Sequence, residues 1–358
     1  MAIGALALVL AVALAASGLA PATAPPTWHK GFTLWGRPSD YGSAETAEAL
    51  RQVKAYGANS VGLVVAWYVE HGGGATLRPG WNTPSDQDLA AAIAEAKRLG
   101  LAVTLHLHVD VDDNSWRGNL EPQDKQGFFA GYGYFVRRYA RLAEAQGVEG
   151  LVVGSELVRL TRPAYTSEWL ALIAGVRERY SGFVTYGAEW GGAEPQAEED
   201  PLREFAHVGF WPALDYIGIA AYFNMAAEGQ TKVSRRQLLA RWEEWRTIHL
   251  APLQAAYAKP LLFTEVGYRS TAGAAARPWD SGLARGVDLE MQAELYGALL
   301  EGWAGVPWFR GVFIWFWSTE PGAGGPLDQD YTPQNKPALG QVSSFFATLR
   351  PQNLAEEN

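Results

Sequence analysis

The sequence predicts a single-domain α/β fold of the (β/α)8 TIM-barrel type. Three observations predict it. Apolar strand-like runs alternate with helical patterns and short turns from residue 28 onward. The runs carry little polar relief, the pattern of strands buried on both faces of a parallel sheet. The chain has 358 residues and no composition break that would divide it, a length typical of one closed barrel.

The elements follow in order. Strand-like runs occupy Gly31–Gly36, Val61–Tyr68, Leu101–Asp110, Gly150–Glu156, Phe183–Trp190, Asp215–Tyr222, Pro260–Tyr268 and Gly311–Trp317. Between them lie helical patterns at Ala44–Tyr56, Asp86–Leu99, Gln123–Gln146, Ser167–Tyr180, Arg235–Tyr257 and Leu289–Trp303, and Ala338–Leu349 closes the series. Gly57, Gly100, Gly147 and Gly305 stand just past helical patterns, where a glycine enters the left-handed region without a Cβ clash. Ser85 and Ser234 stand where an oxygen is wanted to cap free helix N–H groups. The fifth unit is the least regular: the acidic segment Glu194–Pro201 leaves room for only a short helix. Residues 28–350 therefore read as one barrel domain and 351–358 as a frayed polar tail.

Composition narrows the function. The net charge is -9 and no basic run with interleaved aromatics occurs, which argues against a nucleic-acid partner or an anionic membrane surface. There is no cysteine, so neither a disulfide framework nor thiol chemistry is available. The 15 Trp and 15 Tyr fill a core and also supply flat faces for sugars. No charged side chain precedes Lys30, and an Ala-rich apolar run ends near Ala22-Thr23-Ala24. Residues 1–24 thus read as a secretory signal peptide with an Ala-x-Ala cleavage site or, lacking a basic start, as an uncleaved membrane anchor. Either reading places the protein outside the cytoplasm.

The chemistry concentrates at strand ends. Glu156 closes Leu151-Val152-Val153-Gly154-Ser155, and Glu265 closes Leu261-Leu262-Phe263-Thr264. A carboxylate where a buried strand leaves the core is costly unless something uses it, and C-terminal strand ends are where barrel active sites are built. The fourth and seventh strands lie across the ring from each other, so the two glutamates can meet over its mouth as the carboxylate pair of a glycosidase. Tyr222, ending the sixth run, is placed to hydrogen-bond Glu265. Trp315 and Trp317 alternate along the eighth run, which puts both on one side as a floor for sugar. Trp35 adds aromatic surface at the first strand end.

The third run ends His106-Leu107-His108-Val109-Asp110. His-x-His at a strand end is also how metal-dependent amidohydrolases begin a metal shell, but strands five and six end in Glu189-Trp190 and Tyr222 rather than in further histidines. His108 and Asp110 read better as sugar-hydroxyl partners, with His106 deeper as a hydrogen-bonded core histidine. The loop Asn114-Ser115-Trp116-Arg117-Gly118-Asn119 follows; Arg117 can orient a carboxylate and Trp116 can stack on a ring. There is no nucleophile elbow, P-loop or Rossmann fingerprint, and no cofactor is implied.

These residues resemble the clan A retaining glycosidases and, more closely, glycoside hydrolase family 113, the β-mannanase barrels. The similarity runs from about Gly31 to Leu349. It is carried by His108-Val109-Asp110 with Trp116-Arg117-Gly118, Gly154-Ser155-Glu156-Leu157, Asp215–Ile219 with Tyr222, Thr264-Glu265-Val266-Gly267-Tyr268, and Asp330–Ala338. The resemblance implies that Glu156 is the acid/base and Glu265 the nucleophile, supported by Tyr222. Two departures stand out. Ser155 replaces the asparagine that most of the clan places before the acid/base, and His106-Leu107 replaces a Lys-Pro pair. The expectation is a metal-independent retaining glycosidase acting on β-1,4-mannan or a related β-hexosan. A metal-dependent amidohydrolase using His106 and His108, or a non-catalytic carbohydrate-binding barrel, are the rivals.

Overall fold

The computed structural model describes residues 25–37, 40–191, 203–283 and 285–349. The leader expected at 1–24, the acidic segment 194–201 and the tail 351–358 lie outside them. Among the described residues no helix is long and apolar enough to cross a membrane.

Eight parallel strands close on themselves: β1 (His29–Trp35), β2 (Ser60–Val69), β4 (Ala102–Val111), β5 (Gly150–Ser155), β6 (Phe183–Glu189), β7 (Ile217–Ala220), β8 (Leu261–Val266) and β9 (Phe309–Ser318). β1 pairs with both β2 and β9, which completes the ring. All eight expected runs are present, and the (β/α)8 reading holds. The sequence reading did not anticipate β3 (Arg78–Pro79), a two-residue antiparallel addition to the end of β2.

The helices form the outer layer: α1 (Ala44–Ala55), α2 (Asp86–Arg98), α3 (Lys125–Ala145), α4 (Thr166–Arg177), α5 (Glu204–His207), α6 (Arg235–Glu244), α7 (Ala251–Tyr257), α8 (Leu289–Trp303) and α9 (Pro337–Thr348). Their starts follow local chemistry. Ser43, Ser85, Asp124, Ser234 and Asp288 each accept a backbone N–H of the first turn through their side chains, and each such cap contributes about 1 kcal/mol. Gly57, Gly100 and Gly147 adopt the positive φ expected of them, whereas Gly305 does not; α8 ends in ordinary helical geometry at Ala304. The pattern expected as one helix over 235–257 is interrupted by a wider π turn, Trp245–Leu250. Pro252 has no N–H to return to the preceding turn, so regular α pairing cannot run through it.

The barrel interior is layered. Phe183, Leu262 and Phe313 plug one end, with Tyr216 packed against them. Above the plug lies a polar layer that includes Thr33, Thr104, His106, Thr185 and Thr264, all buried. The rim above that carries the candidate site. Alternation of side chains breaks at the rim because the parallel pairing slips in several places: at Thr33/Leu34 between β1 and β9, at Val152/Ser155 between β5 and β6, and at Phe263/Val266 between β8 and β9.

Strand β9 enters the sheet through Gly311, with φ +114°. A Cβ there would stand 2.2 Å from the His29 carbonyl oxygen, so Gly311→Ala combines an unfavourable backbone with a backbone clash. The expected loss is about 2–4 kcal/mol in urea unfolding. Gly305→Ala, with open space around it, should stay within about 0.5 kcal/mol of the wild type.

Candidate active site

Glu265 is the centre of the site. Period-2 alternation along β8 would turn Thr264 and Glu265 to opposite faces. The slip in pairing instead brings both to the interior: Thr264 Oγ1 lies 2.8 Å from where a Gly187 Cβ would stand, and Glu265 reaches residues of three other strands or their ends. Ser155 Oγ donates to Glu265 Oε1 at 3.2 Å, the Tyr222 hydroxyl donates to Oε2 at 3.2 Å, and His108 Nε2 stands 3.2 Å from Oε1. Only 5% of the residue is exposed. Burial works against its charge, yet the His108 contact and the fields of His108 and Arg117 outweigh it and hold the carboxyl down at about 2.

Glu156 follows β5 in a left-handed backbone conformation, φ +54°, which costs a non-glycine residue roughly 1–2 kcal/mol. Its N–H is held by the Gly187 carbonyl at 2.8 Å, and Trp116 Nε1 approaches Glu156 Oε2 at 3.4 Å. Burial first, and then the negative charge of Glu265, push its carboxyl up to about 8, with Arg117 opposing the rise. The two carboxylates therefore share one electrostatic environment but prefer opposite protonation states. Two such groups pushed apart are the equipment of acid–base and nucleophilic chemistry in one pocket.

The remaining expected residues fall around this pair. Arg117 Nη2 donates to Asp110 at 2.7 Å, and the guanidinium acts on Glu156 and Glu265 alike. His108 and Asp110, read from sequence as sugar-hydroxyl partners, stand against Glu265 and Arg117 respectively. Trp116 lies against Gly118, where any Cβ would meet its ring at 2.4 Å. Trp315 is half-buried between Trp35, at 5.2 Å between centroids, and His108, stacked at 6.2 Å and 23°. Together Trp35 and Trp315 form an aromatic wall beside Glu265.

Two expectations need correction. Trp317 does not share a face with Trp315. The slipped pairing sets Thr33 against Trp315 but Leu34 against Trp317, skipping Phe316. Trp317 is therefore buried on the outer side, against Phe32 and Tyr56. His106 is a core residue, as expected, but neither ring nitrogen has a protein hydrogen-bond partner, and its ring meets the edge of Phe313.

Sequence reasoning passed over Glu189, which ends β6, is buried, and raises the Glu156 carboxyl by its charge. The signal was present: Glu189 closes the fifth apolar run just as Glu156 closes the fourth. Among the described residues, one group has the composition to hold a metal ion, His106, His108 and Glu265, with atoms within 4.8 Å of one another. The strand ends that would complete an amidohydrolase shell carry Glu189 and Tyr222 instead of histidine.

Comparison with known proteins agrees with this geometry. The sequence model of Glycoside Hydrolase Family 113 matches residues 30–336. A GH113 β-mannanase from Alicyclobacillus acidocaldarius, solved in complex with ManMIm, superposes with a TM-score of 0.78 at 28% identity, covering 91% of this chain and 99% of that one. A GH113 β-1,4-mannanase solved as a complex gives 0.77 at 25% identity, with 90% and 100% covered. A GH5_18 protein from Bifidobacterium longum subsp. longum, at 14% identity and 0.58 over 89% and 80% of the two chains, shares the fold. No curated protein matches the chain.

The raised Glu156 carboxyl makes a stability prediction. Its folded value of about 8 lies above the unfolded 4.5, so folding favours the protonated form. The cost to the fold is absent below the unfolded value, builds between the two and levels off above the folded one. Glu156→Gln should therefore raise the melting temperature relative to wild type by an amount that increases from about pH 5 to about pH 9. A difference independent of pH would refute the assignment.

Proposed function

The chain belongs to Glycoside Hydrolase Family 113 and is a glycosidase, and from that premise we propose that it cleaves β-1,4-mannan or mannooligosaccharides with retention of configuration. Glu156 serves as acid/base and Glu265 as nucleophile. The observation that carries this reading is the pair of strand-end glutamates in one site, Glu265 ringed by Ser155, Tyr222 and His108 and Glu156 left with Trp116, surroundings that favour opposite protonation states. Glu265 is ionised and surrounded by hydrogen-bond donors; Glu156 is protonated and only partly buried beneath Trp116.

In the first step Glu156 gives its proton to the departing glycosidic oxygen while a Glu265 oxygen bonds to the anomeric carbon. The leaving sugar departs as an alcohol, and a covalent glycosyl-enzyme remains. Glu156, now a carboxylate, takes a proton from water as that water attacks the anomeric carbon and releases Glu265. Ser155 and Tyr222 keep the Glu265 oxygens directed, and Arg117 steadies whichever of the two carboxyls is charged. Trp35 and Trp315 supply faces for the pyranose next to the cleavage point, with Trp116 opposite. The substrate class follows the β-mannanase structures to which this chain is similar. The apolar N-terminal run supports export or tethering outside the cytoplasm, where a polymeric glycan would be met.

Changing Glu265 to Ala should lower hydrolysis of mannohexaose by at least about a thousandfold. Azide should restore turnover of an activated aryl mannoside by Glu265→Ala with an inverted glycosyl azide as product, and by Glu156→Ala with a retained one. Unchanged hydrolysis in Glu265→Ala on every β-glycan tested would overturn the proposal. The dependence of kcat/KM on pH should be bell-shaped. Activity falls at low pH as Glu265 takes up a proton, and falls again above about 8 as Glu156 loses its own.

A further inference from the structure

Resting on the glycosidase reading above, we infer that Tyr186 and Glu204 are positioning residues for the proton donor, holding the strained turn at Glu156 through one continuous hydrogen-bonded relay. Neither belongs to the carboxylate pair, and neither faces the aromatic wall. A non-glycine residue stays left-handed only where its surroundings over-determine it. At Glu156 the backbone N–H on each side of the Cα is fixed. That of Glu156 itself goes to the Gly187 carbonyl at 2.8 Å, and that of Leu157 goes to the Tyr186 hydroxyl at 2.6 Å.

The direction of the relay is forced. A backbone N–H can only donate, so the Tyr186 oxygen accepts from Leu157 and its single proton is free for Glu204 Oε1, 2.7 Å away. Glu204 Oε1 also accepts from Thr161 Oγ1 at 2.8 Å, and Oε2 accepts from the Glu189 N–H at 2.6 Å. One buried carboxyl, which burial pushes up to about 8 against these three hydrogen bonds, thus ties the turn carrying Glu156 to the end of β6, where Glu189 stands. The Tyr186 ring cannot swing away: it is fully buried and meets Trp169 and Phe210 edge-on at 5.2 and 5.5 Å. Glu204→Gln keeps one acceptor oxygen and sets an amide group with two N–H donors in place of the other.

A tie of this kind aims a proton, so its loss should depend on how much the leaving group needs one. The test compares kcat/KM for a mannooligosaccharide with kcat/KM for 2,4-dinitrophenyl β-mannobioside, whose phenolate leaves unprotonated. Tyr186→Phe and Glu204→Gln should lose about 10–100-fold on the oligosaccharide and less than about threefold on the aryl glycoside. Equal losses on both substrates, or no loss on either, would overturn the inference. Circular dichroism and melting establish which variants fold. If both fail, Thr161→Val, which removes one donor from Glu204 and leaves the Tyr186–Leu157 bond, decides by the same ratio, with Thr161→Ser expected to keep wild-type values. Wild type that cleaves neither substrate would instead sink the glycosidase reading on which this rests.

Discussion

The buried charge of Glu265 is the constraint around which the rest of the site is arranged. An ionised carboxylate in a barrel interior is costly unless hydrogen bonds and opposite charge replace the water it leaves. Here Ser155, Tyr222 and His108 converge on its two oxygens, and Arg117 adds a positive field from the loop above. Those groups come from the ends of β5 and β7 and from β4, with Arg117 on the loop after β4. Satisfying one charge therefore draws together residues distant in sequence. The neighbouring Glu156 then meets an established negative charge and keeps its proton. The difference between the two carboxyls arises from placement alone.

That placement depends on slips in the parallel pairing. A regular strand sends successive side chains to opposite faces, which would leave Glu265 outside if Thr264 were inside. The irregular pairing on both sides of β8 brings both inward. A similar slip beside β5 accompanies the left-handed Glu156, and the one between β1 and β9 divides Trp315 from Trp317. Irregular pairing at barrel rims and next to active sites re-aims side chains in this way. Below the rim, where β8 and β9 slip once more at Leu261/Phe263, the interior is filled by the plug and the threonine layer.

The two departures from the family pattern take on meaning in this frame. Ser155 stands where the clan resemblance leads one to expect asparagine, and its hydroxyl is directed at Glu265. His106 stands where a lysine is expected; its imidazole is fully buried and neutral, with its pKa lowered to about 3 by burial. A neutral ring there leaves His108 and Arg117 as the groups that lower the Glu265 carboxyl most. Behind Glu156, the buried Glu204 accepts from three donors, yet burial outweighs them and pushes its carboxyl up, the opposite of Glu265.

Much of this was legible in the residues themselves. Apolar runs buried on both faces, glycines past helix ends and serine caps determined the eight-strand barrel and most element boundaries. Glutamates at the ends of the fourth and seventh runs determined where chemistry would sit, because a charge at the edge of a core is conspicuous. Tyr222 and Arg117 were found by the same proximity to strand ends. What only the tertiary structure decided is which way side chains face once pairing slips. A pattern of period two carries no record of a one-residue shift, so Trp317 read as a sugar floor and emerged as packing. Nor could the sequence pair Tyr186 with Glu204, 18 residues apart and joined to the Glu156 turn through Leu157. Hydrogen bonds between loops and strand ends depend on where the closed ring places them, and that is a property of the assembled barrel.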